Sequence, residues 1–137
     1  MLKNELRNNI SNFVLGGKAD FFIVQEPEFK HRFIVKRGKY KGVYLVSGSY
    51  NNGKIAYLGT LRQLDNGGFS FNVAKDIGEV GSYLLKGLVW VLEREHSLPS
   101  SVHVLHNGRC GMCGRVLTDS ESVARGFGSH CFKMLGF

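Results

Sequence analysis

The strongest constraint on this chain lies in its last quarter, His106-Asn107-Gly108-Arg109-Cys110-Gly111-Met112-Cys113-Gly114-Arg115, followed by Cys131. All three cysteines fall here and none elsewhere. Two thiols two residues apart, followed by Gly-Arg, form a knuckle in which a tight turn aims both sulfurs at one point. An odd cysteine count with one Cys-x-x-Cys pair is a poor disulfide framework and a good metal or redox pattern. The spacing His106-x3-Cys110-x2-Cys113-x17-Cys131 suits tetrahedral Zn2+, which takes four Cys or His donors. His106 is the preferred fourth donor, because it borders the knuckle and can fold back onto it. His130 and His103 are the alternatives. His130 adjoins Cys131, where neighbouring helical side chains diverge by about 100°, and His103 sits on the strand face opposite His106. Four protein donors leave no place for water, so the expected zinc is structural. Three reduced, buried thiols without metal are the bland alternative. A thioredoxin-like pair lacks its strand-then-helix context around Cys110.

The rest of the chain reads as α+β: a small antiparallel sheet packed by one long helix, then a treble-clef-like zinc-binding unit. Leu2, Leu6, Ile10 and Phe13 fall near helical spacing over residues 2–13. Strands follow from Ala19 to Gln25, closed by Pro27, then His31 to Arg37, Val43 to Ser47, Ile55 to Leu61 and Phe69 to Val73. Asn51-Asn52-Gly53 and Asn66-Gly67-Gly68 are the hairpin turns, since Asn and Gly accept positive φ. Gly78 to Glu95 carries an apolar stripe through Val80, Leu84, Leu88 and Val91 or Leu92, a helix that should lie across one sheet face. Pro99 marks a linker, and Val102 to Leu105 is a strand leading into the knuckle. Thr118 and Glu121 read as a capping box opening a short helix that stops at Gly126. A last helix starts at Ser129 and carries Cys131 in its first turn, where the helix dipole favours thiolate. The division is residues 1–97 for the sheet and helix, and 98–137 for the zinc unit, closely packed.

With 18 Lys and Arg against 11 Asp and Glu, the formal charge is +7, which favours acidic partners. Lys30, Arg32, Lys36, Arg37, Lys39 and Lys41 lie within twelve residues that contain no acid. On a strand-turn-strand, alternate members share a face, and His31, Phe33 and Tyr40 interleave with them. Such a ribbon can hold phosphates and stack bases. Equally, lysines there can protect a sheet edge from aggregation. Phe69, Phe71, Tyr83 and Trp90 are expected in the core. The leading expectation is a non-enzymatic nucleic-acid-binding protein; the alternative is a module that binds a host protein. Hydrolysis by a His-Asn-His-type site has only His106-Asn107 in its favour. No apolar run reaches bilayer-spanning or signal-peptide length, and reduced thiols suit a cytoplasmic setting.

The stretch HNGRCGMCGRVLTDSESVARGFGSHC resembles the cysteine-rich signature of small uncharacterised proteins from phages, plasmids and bacterial mobile elements. That signature pairs His-x3-Cys-x2-Cys-Gly-Arg with a later Gly-x-Gly-x-x-Cys; Ser129 stands where the family usually has Pro. FVLGGKADFFIV and YLVSGSYNNGKIAYLGTL are similar to N-terminal segments of some members. The resemblance implies zinc binding and a mobile-element setting, and no particular activity.

Overall fold

The protein is described by a computed structural model covering residues 4–26, 29–49 and 53–136. Leu2, Pro27, Asn51 and Asn52, which figure in the expectations above, lie outside the described residues. Six antiparallel strands form one sheet: β1 (Lys18–Gln25), β2 (Phe29–Arg37), β3 (Val43–Ser49), β4 (Ile55–Gln63), β5 (Phe69–Val73) and β6 (Val102–His106). Their spatial order is β5-β4-β3-β2-β1-β6. The first five make a meander, and β6 returns to lie outside β1. The helices are α1 (Ile10–Val14), α2 (Gly78–Glu93), α3 (Ser120–Arg125) and α4 (Ser129–Met134).

Strand alternation gives the sheet two unlike faces. Register places Phe21 opposite Phe33 and His106, Ala19 opposite Val35, and Val35 opposite Val46. All of these are buried, at 2% exposure or less. α2 packs on this face over β4 and β5, burying Leu84, Leu85, Leu88 and Leu92. The stripe is continuous because these residues recur at three- and four-residue spacing. Val80, expected in it, is exposed. The register shifts between Val46 and Ser47, with Leu58 of β4 as the extra residue. Opposite, Gly59 takes φ +151, and a Cβ there would stand 2.0 Å from the Asn72 carbonyl oxygen. Only glycine lets β4 and β5 approach so closely.

The N-terminal segment departs from the helix expected over 2–13. Asn4 and Asn9 adopt left-handed backbone at φ 64 and 60, which interrupts a right-handed helix. The intervening residues extend along β6: the Leu6 amide donates to the Val104 carbonyl at 2.8 Å, and the His106 amide to that of Asn4 at 3.0 Å. An edge strand's unpaired amides are covered this way. Ile10, Phe13 and Val14 of α1 then enter the core.

Leu6, Phe13, Cys110, Phe127 and Cys131 all belong to the same buried cluster as the sheet residues. Phe13 meets Phe21, His106 and Phe127 at ring-centroid distances of 6.2, 5.7 and 5.9 Å. Residues on either side of position 98 therefore share strand pairing and core.

Candidate metal centre and open sheet face

The knuckle is built by backbone hydrogen bonds. The Cys110 amide donates to the Arg115 carbonyl and the Gly114 amide to that of Cys110, both at 2.9 Å. Gly114 sits at φ 79, where a side chain would strain the turn. Arg109 Nη1 donates to the Gly114 carbonyl at 3.2 Å. After the knuckle α3 begins, but its cap is Asp119, whose Oδ2 accepts from the Ser122 amide at 3.0 Å. Thr118 is thus one residue outside the cap that the S/T-x-x-E pattern suggested. Asp competes well for that position, and the amide bond holds its carboxyl below the usual range. Gly126 ends α3 at φ 80, and its carbonyl accepts from the Gly111 amide at 3.0 Å. That bond ties α3 to the knuckle, and α4 starts three residues later, at Ser129.

The ligand atoms of Cys110, Cys113 and Cys131 lie within 4.8 Å of one another. Tetrahedral zinc with Zn–S of about 2.3 Å needs sulfurs about 3.8 Å apart, so these three residues fit a metal ion. Cys110 and Cys131 are buried and Cys113 is exposed. Burial pushes the Cys110 thiol up, but hydrogen bonds from the backbone of Cys113, Gly128 and Met112 outweigh it and leave the thiol below its ordinary value. Burial also pushes Cys131 up, to about 12, and the neighbouring Cys110 and Cys113 sulfurs act in the same direction. Ionisation is eased at one sulfur and resisted at the next, as expected where like charges converge. A divalent cation removes that resistance and releases the protons.

His106 does not join this cluster. Its place on β6 turns it to the core face, where it is 2% exposed. Nδ1 accepts from the Gly108 amide at 2.9 Å, which leaves the proton on Nε2, donated to the Val123 carbonyl at 2.5 Å. Both ring nitrogens are committed to backbone, and burial holds the imidazole below its ordinary pKa. The expectation of a fourth donor here is not met in this structure: His106 fastens β6 to α3 through Val123 and stands outside the thiol group. It is equally ill placed to serve as a hydrolytic base. His103 lies on the other sheet face, opposite Val24, between Glu5 and Glu26. The three sulfurs open onto a concavity of about 340 Å³ whose lining includes Asp119 and His130. Among the described residues, no Cys, His, Asp or Glu other than the three thiols falls inside the 4.8 Å group.

The six basic residues singled out in the sequence separate. Lys30, Arg32 and Lys36 share the face of the sheet that α2 does not cover. Arg37 is on the opposite face, across from Tyr44, and Lys39 and Lys41 lie in the turn between β2 and β3. Arg32 is held by Asp20 through two hydrogen bonds of 2.8 and 2.5 Å. On that uncovered face none of the described strand residues is buried. Lys18 stands opposite Lys36, and Lys30 Nζ lies 4.6 Å from the Phe22 ring centroid. Leu45, Ile55 and Tyr57, 41%, 42% and 47% exposed, complete the surface with Arg62. The sequence reading missed Phe22 and Tyr57 as its aromatics. His31 and Phe33 point to the covered side, since they alternate with Arg32. Tyr83 and Trp90, expected in the core, are 58% and 37% exposed.

None of the described helices is long and apolar enough to cross a membrane. No curated protein and no solved structure matches the chain. Residues 101–136 match a family of unknown function, DUF6011, a span that holds β6, the knuckle and all three thiols, and leaves out the other five strands.

Proposed function

We propose that this chain is a non-enzymatic nucleic-acid-binding protein of phage or mobile-element origin, stapled at its C-terminal end by structural Zn2+. Cys110, Cys113 and Cys131 hold the ion in a treble-clef-like unit, a knuckle answered by a helix start, and a donor from the neighbouring concavity completes it. The observation that carries the binding reading is the uncovered sheet face. It combines Lys18, Lys30, Lys36 and Arg62 with Phe22 and Tyr57, and its one strand carboxylate, Asp20, is engaged by Arg32. Lysines spaced along strands track a phosphate backbone, and exposed rings beside them stack bases.

The test is fluorescence anisotropy with a single-stranded oligonucleotide across a salt series. Reversing Lys30, Lys36 and Arg62 to Glu should abolish most binding and flatten the salt slope by about 2, at roughly 0.7 per phosphate contact. Lys39→Glu with Lys41→Glu should do much less. No binding at low salt, or equal effects of the two sets, would sink the reading. A second reading, docking of a host protein, draws on the co-facial apolar patch of Leu45, Ile55 and Tyr57. It predicts binding that is indifferent to salt and lost on Tyr57→Glu.

A further inference from the structure

On the covered side of the sheet, between the flank of α2 and the ends of β1 and β2, lies a half-open cavity of about 430 Å³. Its volume falls in the range of small-molecule sites, about 300–1,000 Å³. Ile23 and Phe33 contribute from the sheet, and Tyr83, Lys86, Gly87 and Trp90 from α2. Tyr83 and Trp90 lie one turn to either side of Gly87, and both rings retain substantial exposure. The Tyr83 ring also meets His31 edge-on at 6.4 Å.

Gly87 is the informative residue. Glycine in the middle of a helix costs stability relative to alanine, so it needs a reason. Its neighbour in the helix, Gly81, has one: a Cβ there would fall 2.2 Å from Ile77 Cγ2. At Gly87 a Cβ would meet nothing within 4 Å, and no positive φ requires glycine. Gly87 is exposed on the cavity lining, so the space beside it is open, and Tyr83 and Trp90 share that lining with it. Among the described lining residues Lys86 is the one Lys or Arg, and none is Asp or Glu. The Arg94 guanidinium lies 5.0 Å from the Trp90 ring centroid and adds positive charge beside the site.

We propose that this cavity is a binding site for a small planar aromatic anion, its ring lodged over Gly87 between Tyr83 and Trp90 and its acidic group at Lys86. The site lies on the side of the sheet away from the nucleic-acid face and stands independently of that reading. A mononucleotide and an aromatic carboxylic acid share this chemistry.

Trp90 is the sole tryptophan and reports directly. Titrating the intact protein with anilinonaphthalene sulfonate should give saturable quenching of Trp90 at 1:1 stoichiometry. Gly87→Leu, which fills the space with a good helix former, should remove saturable quenching up to about 1 mM while the melting temperature holds or rises. Tyr83→Ala, at an exposed position, should weaken binding without unfolding. Lys86→Glu should weaken the sulfonate about tenfold and leave neutral phenylnaphthylamine unaffected. Competition then separates the sources: displacement by adenosine monophosphate identifies a nucleotide site, and displacement by naphthoate an aromatic-acid site. Displacement by neither, absence of a saturable Trp90 response, or binding unchanged in both Gly87→Leu and Tyr83→Ala would overturn the proposal.

Discussion

Replacing His106 separates its two conceivable roles. In His106→Ala the Val123 carbonyl and the Gly108 amide lose their side-chain partners in a site where the histidine is 2% exposed. Leaving such buried groups unpaired costs about 1–3 kcal/mol. The ring also packs against Phe13 at 5.7 Å, and truncating a buried ring to alanine adds cavity cost, for a combined penalty of about 4 kcal/mol. In a domain of this size that lowers the melting temperature by roughly 15 °C. His106→Gln, whose amide can still donate toward the Val123 carbonyl, should recover part of the loss. Both variants should keep metal affinity and the Co2+ spectrum of the parent, because neither ring nitrogen is free to coordinate. The assay is thermal unfolding of the metal-loaded protein alongside Co2+ substitution. A His106→Gln variant that folds like the parent yet loses metal affinity about 100-fold would show that His106 is a ligand and refute the reasoning.

Chelation of the metal should raise amide hydrogen exchange across residues 110–135, with β2 to β4 retaining their protection. A uniform rise along the whole chain would mean that the sheet depends on the metal equally. Burial holds His31 and His106 below the ordinary imidazole value of 6.5. The unfolded chain therefore takes up protons first, so stability should be level above about pH 6.5 and decline as pH falls below it. Urea midpoints between pH 8 and 5 measure this, and a midpoint that rises on acidification would contradict it. Gly126→Ala places a Cβ 2.7 Å from Phe13 Cδ2 at φ +80, so at least about 1–2 kcal/mol of strain should appear in the unfolding free energy. Asp119→Ala should lower the melting temperature more than Thr118→Ala, since Asp119 accepts the capping bond.

The strands were legible because alternation of aromatic and β-branched residues, punctuated by Gly and Asn, is a local signal. β5 runs from Phe69 to Val73 as read, and α2 begins at Gly78 and ends at Glu93, two residues early. Pairing between distant segments leaves no such mark. Nothing in the letters Asn4-Glu5-Leu6 says that they will cover the edge of β6, or that β6 will lie beside β1.

The thiol cluster was legible for the same reason the strands were, since Cys-x-x-Cys is a turn as well as a ligand pair. The misplacement of His106 follows from reading adjacency as proximity. Strand alternation sends that ring to the core, and the nearest acceptor it finds is the Val123 carbonyl of α3. The basic run is contiguous along the chain, but a strand divides its residues between two faces. What unites Lys30 and Lys36 with Phe22 and Tyr57 is sheet register, which no single strand displays.

The thiols of Cys110, Cys113 and Cys131 are close enough to hold one metal ion. X-ray absorption at the zinc edge on the protein purified with its metal tests this most directly. The expected result is one zinc per chain with three sulfur neighbours at about 2.3 Å and one nitrogen or oxygen donor. Two or fewer sulfurs, or a folded chain that takes up no zinc, would contradict it.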